Sequence, residues 1–219
     1  MARIYTVHPD NPQPRNIEQI CGDLAAGAVM LYPTDTAYAI GCDLTSKSAI
    51  TRVRRLKQLS NDKPLTFLCS SLSNIAQYAY VKDPAYRLMK RLIPGPYAFI
   101  LPATKLVPKI ILNPKRKTTG IRVPDHALCQ ALLKQMGHPI VSTSARLPEG
   151  THYAFDDEFG PDNSVELFDA FENLVDIIID NGQQPTTTAS TVIDLCQGEP
   201  TVLRKGLGWE IMEDNGILL

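Results

Sequence analysis

The segment Ala28-Val-Met-Leu-Tyr-Pro-Thr-Asp-Thr-Ala-Tyr-Ala-Ile-Gly41 decides how this chain is read. Ala28 to Tyr32 is an unbroken apolar run of strand length, which suits a strand buried on both faces. Pro33 to Asp35 is turn chemistry, and Tyr38 to Gly41 reads as a second short strand leaving it. Upstream, Ile17, Ile20, Cys21 and Leu24 recur at helical spacing, and Gly27 ends that helix before the first strand begins. A helix, a buried strand, a polar turn and another strand thus follow one another within about thirty residues, as in layered α/β domains.

The same alternation continues downstream. Ser48 to Leu59 is expected as a basic amphipathic helix, with Ile50, Val53 and Leu56 inward and Arg52, Arg54 and Arg55 mostly outward. Leu65 to Cys69 reads as a strand, and Ser71 as the cap of a helix. Asp83 to Ile93 is a helix that stops at Pro94-Gly95-Pro96. Strands are expected at Tyr97–Leu101, Gly120–Val123, Pro139–Ser142, Val175–Asp180, Thr191–Leu195 and Thr201–Arg204. Helices are expected at His126–Met136 and Ser164–Leu174. Pro148 to Pro161 reads as a surface loop. The predicted fold class is a single three-layer α/β domain spanning residues 10–206 around a mixed parallel and antiparallel sheet, with residues 207–219 as a tail packed on its edge.

Composition bounds the function. A chain of 219 residues supports one substantial core, and 44% hydrophobic with 21% charged residues describes an ordinary globular protein. The net charge of −1 supplies no global attraction to nucleic acid or anionic membrane, so any anion site must come from local clustering. Five cysteines, Cys21, Cys42, Cys69, Cys129 and Cys196, are widely spaced and odd in number, which favours free thiols in a reducing compartment. Cys42 lacks a base partner in the sequence and is expected to serve packing. His8, His126, His138 and His152 show no metal-ligand spacing. The N-terminal Met-Ala-Arg-Ile-Tyr has no apolar signal core and no apolar run spans a bilayer, so a cytoplasmic protein without membrane attachment is expected.

Chemistry-bearing residues gather at predicted strand ends: Thr34, Asp35 and Thr36, Lys57 and Lys63, Arg122, Ser142, Thr143 and Ser144, Ser190 and Thr191, and Arg204. Each has a plain reading alone, such as a turn hydroxyl or a cation near a helix terminus. Their order carries more. Residues 32–41, 57–65, 94–96, 120–125, 139–146, 190–194 and 202–206 follow one another in a succession that resembles the YrdC/Sua5 family, closest to its YciO-like branch. The resemblance runs from about Arg15 to Gly206.

That resemblance implies a strongly twisted mixed sheet with a basic concave face, and threonylcarbamoyl-AMP synthase chemistry. Such enzymes join threonine, bicarbonate and ATP, and ATP brings its own Mg²⁺ rather than needing a protein metal cage. It implies nucleotide and phosphate contacts from Lys57, Lys63, Ser142, Ser144, Arg146, Ser190, Thr191 and Arg204. It also implies that Thr34, Thr36, Tyr38 and Arg122 face the threonine-like substrate. The residue types suit this chemistry, since cations neutralise phosphate and the leaving pyrophosphate, while small hydroxyls donate without crowding.

The family's synthase pattern pairs Lys-x-Arg with a later Ser-x-Asn. Here Leu59 replaces that arginine and Arg146 the asparagine, and Tyr97-Ala98 stand where Leu-Thr is usual. Loss of a guanidinium from a desolvated anion site costs roughly 2–5 kcal/mol, so weakened or altered synthesis is expected. Arg146 either restores the lost charge from across the pocket or turns to solvent or Glu149. Two further functions stay open: tRNA or double-stranded RNA binding through Arg52, Arg54, Arg55, Lys57 and Lys115–Lys117, and hydrolysis of a related acyl-adenylate.

Overall fold

The computed structural model describes residues 1–60, 64–146, 164–186, 188–197 and 199–217. Among the described residues ten strands form one sheet: β1 (Arg3–Thr6), β2 (Val29–Tyr32), β3 (Ala39–Asp43), β4 (Thr66–Leu68), β5 (Tyr97–Pro102), β6 (Thr118–Arg122), β7 (Ile140–Ser144), β8 (Ile177–Asp180), β9 (Thr191–Asp194) and β10 (Thr201–Arg204). Their order across the sheet is β1-β8-β2-β3-β7-β4-β6-β5-β9-β10, with parallel and antiparallel pairs mixed. Seven helices flank it among the described residues: α1 (Pro14–Ala25), α2 (Lys47–Leu56), α3 (Leu72–Tyr78), α4 (Asp83–Leu92), α5 (Ala127–Met136), α6 (Ser164–Phe171) and α7 (Trp209–Asp214).

Two apolar cores lie on opposite sides of the sheet, because successive strand residues point to opposite faces. On one face Leu31, Ile40, Phe67, Phe99, Ile121, Val141 and Ile193 pack beneath α2, α3, α4, α6 and α7. On the other, Met30, Tyr32, Leu68, Ile140, Ile177 and Ile179 pack beneath α1 and α5. This makes the three layers expected from the sequence. The apolar runs of β2, β3 and β8 are near-continuous because both of their faces are covered.

The second face is not covered along its whole width, and the cause is local. One cross-strand row reads Gly41, Ser142, Thr66, Gly120 and Ile100, on β3, β7, β4, β6 and β5 in turn. Neighbouring rows add Ala39 beside Ser144, and Ala98 between Arg122 and Val192. Small side chains on five adjacent strands leave a recess where larger ones would have made more core. Gly120 is part of it: a Cβ there would meet Thr66 Oγ1 at 2.6 Å.

Most boundaries moved by a residue or two, as helix and strand ends do, and α6 ends at Phe171 rather than Leu174. Two elements were not anticipated: β1, whose four residues are mostly exposed, and α7. Helix α2 ends at Leu56 rather than at Leu59, because Gln58 takes a left-handed φ of 46° and turns the chain. Arg54 departs from the expectation of an outward face. It is buried, and its guanidinium donates to the carbonyls of Ile110 (3.2 Å) and Ser60. Three helical turns carrying four cations leave one of them on the inner side, and backbone carbonyls satisfy it there.

Candidate functional site

The recess has a volume of about 220 Å³. Its floor is Thr66, Leu68, Ala98, Ile100 and Val192; its rim includes Thr34, Thr36, Ser142, Ser144, Ser190, Arg122 and Arg204. Its lining among the described residues contains two arginines, several hydroxyls and no carboxylate.

Arg122 reaches the recess from β6 and is 6% exposed. Its Nη1 donates to Thr36 Oγ1 at 2.7 Å, and its Nε to the Gly95 carbonyl at 3.4 Å. Nη2 lies 2.6 Å from Asp35 Oδ1, an ion pair whose angles do not make a well-aligned hydrogen bond. The other carboxylate oxygen of Asp35 accepts the Asp125 backbone N–H at 3.0 Å. The 33–38 turn is thereby tied to the end of β6. Within the turn, Thr34 Oγ1 donates to the Ala37 carbonyl at 2.8 Å and lies 3.1 Å from Thr36 Oγ1. Thr36 also offers its carbonyl to the Thr186 hydroxyl.

Arg204 comes from the opposite side, at the end of β10. It is held rigidly, with Nε and Nη2 donating to the Ser190 carbonyl at 3.0 and 2.9 Å and Nη2 to Ser190 Oγ at 3.3 Å. Burial pulls its pKa below the ordinary guanidinium value, and the charges of Arg146 and Arg122 push in the same direction. Arg204 therefore feels the positive charge of both Arg146 and Arg122.

Lys57, the C-cap residue of α2, sends Nζ to the end of β7, where it donates to the carbonyls of Ser144 (3.0 Å) and Arg146. Burial lowers its pKa to about 8, and the Arg146 charge adds to that. Leu59 turns toward the apolar core beneath α2 rather than toward the recess. Ser142 Oγ accepts the Tyr32 hydroxyl at 2.6 Å.

The structure brings Thr34, Thr36, Arg122, Ser142, Ser144, Ser190 and Arg204 together on one recess. Lys57 and Arg146 stand at its β7 end. Tyr38 and Thr191 are elsewhere. Tyr38 immediately precedes Ala39, and alternation sends it to the opposite face, where its ring meets Phe168 edge-on at 5.9 Å and burial raises its pKa. Thr191 is fully buried, accepts the Gly206 N–H at 3.1 Å and donates to the Leu207 carbonyl at 3.0 Å. Lys63, Glu149 and the segment 148–161 lie outside the described residues. The sequence reading missed Thr66, and it placed Asp35 and Thr143 at strand ends without giving either a ligand contact. Asp35 was legible as a turn residue, but its pairing with Arg122 joins distant parts of the chain.

Cys42 is fully buried with its thiol pushed up to about 12, first by burial and then by Asp43, so it stays protonated. His126 is the N-cap residue of α5 but makes no capping hydrogen bond; its Nδ1 is buried without a partner. Among the described residues no three His, Cys, Asp or Glu side chains gather as a metal site, and no helix is long and apolar enough to cross a membrane.

The fold and this recess define an α/β protein with a recess on one face of a mixed sheet, lined by hydroxyls and two arginines. The Sua5/YciO/YrdC family profile, described as telomere recombination, matches residues 23–206. The chain belongs to that family. It is 43% identical over 211 residues to the uncharacterized protein YciO of Escherichia coli (strain K12), covering 95% of this chain and 97% of that one. The crystal structure of E. coli YciO superposes with a TM-score of 0.87 at 40% identity over the full length of both chains. A threonylcarbamoyl-AMP synthase of Bos taurus is 34% identical over 206 residues, covering 90% of this chain and 71% of that protein. The P. abyssi Sua5 structure complexed with L-threonine gives a TM-score of 0.84 at 26% identity; this chain spans 62% of its length.

Proposed function

We propose that the recess binds an acyl-adenylate of the threonylcarbamoyl-AMP type and supports its synthesis from threonine, bicarbonate and Mg-ATP, at a reduced rate. One observation carries this reading: Arg122 and Arg204 face a recess whose described lining has no carboxylate, with Arg146 close enough to depress Arg204. Such a rim suits a ligand with separated negative charges, a carboxylate at one end and phosphate at the other. Arg122, fixed by Thr36, Gly95 and Asp35, is the candidate for the amino-acid carboxylate, with Thr34 and Thr36 beside it. Arg204, fixed on Ser190, is the candidate for phosphate. That a Sua5 relative has been crystallised with L-threonine supports an amino acid as one of the ligands.

The chemistry asks little more of the protein. Threonine's amine attacks bicarbonate to give a carbamate and release water; one carbamate oxygen then attacks the α-phosphorus of ATP, and pyrophosphate leaves with the electrons of the broken P–O bond. Rigid cations that need no rearrangement stabilise the charge growing on the leaving group. The reduced rate follows from Leu59 facing the core, which removes a guanidinium from the 57–59 segment.

Incubation with threonine, bicarbonate and Mg-ATP should yield threonylcarbamoyl-adenylate and pyrophosphate, falling by about a hundredfold in Arg204→Met, the usual scale for losing one charge-stabilising donor. Absence of product from the wild-type protein, with no ATP binding, would sink the reading. RNA binding has less support. Arg52 is paired with Asp176 at 2.7 Å and Arg116 with Asp194 at 2.6 Å, and Arg54 is buried with its donors on backbone carbonyls, so each run offers fewer free cations than its sequence suggests.

A further inference from the structure

The hydroxyls nearest Arg122 are committed to their own turn. Thr34 Oγ1 donates to the Ala37 carbonyl at 2.8 Å and accepts the Thr36 N–H at 3.1 Å. Its proton is therefore spent, and Thr36 is the donor across the 3.1 Å between the two hydroxyls. Thr36 Oγ1 also accepts from Arg122 Nη1 at 2.7 Å. Neither threonine has a proton left for a ligand.

The sheet row through Arg122 is apolar on both sides. Leu68 on β4 and Ala98 on β5 are its cross-strand partners, and Val192 on β9 follows Ala98. All three line the recess. Directly opposite Arg122, Ala98 carries only a methyl group, which leaves room beside the guanidinium. The hydroxyls of Thr66 and Ser142 stand in the next row on this face, toward β7, and Ser190 Oγ is engaged by Arg204 on the far wall.

We infer that the recess selects its amino acid by shape, taking short branched aliphatic side chains and valine no less readily than threonine, with Ala98 setting the preference. The inference rests on the assignment of the amino-acid carboxylate to Arg122. A carboxylate accepting the second Nη1 proton of Arg122 puts its side chain over Leu68, Ala98 and Val192. A methyl group buries apolar surface there, whereas a hydroxyl loses water and meets no polar side chain in that row. Valine and threonine share one shape, so comparing them isolates the hydroxyl. Sites that hydrogen-bond a substrate hydroxyl reject the analogue lacking it by about 10⁴-fold or more, while apolar sites separate such isosteres by about a hundredfold at most.

Calorimetry with L-valine, L-threonine and L-serine on the full chain reads the choice directly. Valine is expected to bind as tightly as threonine or more tightly. Serine should bind about tenfold more weakly than threonine, for want of the methyl group. A clear preference for threonine over valine would overturn the inference and leave the carboxylate assignment standing. Failure of all three to bind would remove that assignment, and the inference with it.

Ala98→Thr places a hydroxyl on the floor opposite Arg122. It is expected to move the threonine-to-valine affinity ratio toward threonine by about three- to tenfold, the scale of one hydrogen bond. An unmoved ratio, in a variant whose circular dichroism matches wild type, would deny Ala98 the preference. The ranking on wild type tests shape selection even where that variant does not fold.

Discussion

Asp35 and Arg122 are buried together beneath the recess, and His126 sits beside them. Burial lowers the His126 pKa from 6.5; Asp35, Asp10 and Asp125 oppose the shift, and Arg122 reinforces it. The sign follows from proton counting. The folded state holds this imidazole neutral, so below pH 6.5 the unfolded chain binds the proton more readily and stability falls. Above that pH the contribution is fully present. His126→Gln should flatten the acid limb of a plot of unfolding free energy against pH between about 6.5 and 5, measured in urea. An acid limb equally steep in the variant would assign the loss to other groups. Single residues were the least legible scale in the sequence. Thr34, Thr36, Arg122, Ser190 and Arg204 could be picked out only through the order of their segments, since each alone reads equally well as a turn hydroxyl or a structural cation. Tyr38 could not be separated from them, because one step along a strand reverses the face and the start of β3 lies inside a turn. Lys57 was legible as a cation but not as one already bound to carbonyls, since its partners are 87 and 89 residues away.

The elements themselves were more legible, because each helix or buried strand repeats its signal over several residues. Ser71 does cap α3, accepting the Asn74 N–H at 3.1 Å, and Gly137 ends α5 in the left-handed conformation. What no local pattern showed was how elements hold each other. Thr191 illustrates this: read as a phosphate contact, its hydroxyl instead bridges β9 to Gly206 and Leu207. The Leu207 N–H in turn donates to the Ala189 carbonyl at 2.8 Å. These bonds set the backbone of Ala189 and Ser190, which line the recess and seat Arg204. Thr191→Val keeps the shape and deletes the hydroxyl, leaving the part-buried Gly206 N–H and Leu207 carbonyl without that partner. It should cost about 0.5–1.5 kcal/mol of stability, measured by the denaturation midpoint at constant m. Threonine affinity at the Arg122 end should be unchanged, while pyrophosphate affinity should fall with the loosened Ser190. Equal loss at both ends would contradict the separation of the two subsites.

At the scale of the molecule, the family profile stops at Gly206, yet the chain beyond it is part of the same body. Met212 on α7 is fully buried in the core beneath the sheet. Lys205 covers the Trp209 ring, with Nζ 4.1 Å from its centroid, and the Tyr97 hydroxyl donates to the Gly208 carbonyl at 3.1 Å. Gly208 has a φ of 84°, and a Cβ there would meet Tyr97 Oη at 2.7 Å, so this approach of tail to β5 requires glycine. The sequence suggested only that the tail packs on an edge, since one helical turn and a half carries too few apolar positions to announce a buried face. Its position between β5 and the Ala189–Ser190 segment makes it the support of the recess wall. Truncation after Gly206 should therefore act on two properties. Exposing the site of Met212 costs about 1.5–3 kcal/mol, and the lost Leu207 and Gly208 hydrogen bonds add about 0.5–1.5 kcal/mol each. Pyrophosphate affinity should drop along with stability, because Arg204 loses the fixed Ser190 against which it is held. Calorimetry on the truncated chain, at a temperature where circular dichroism shows it folded, separates the effects. Unchanged affinity in a folded truncation would show that the recess wall stands without the tail.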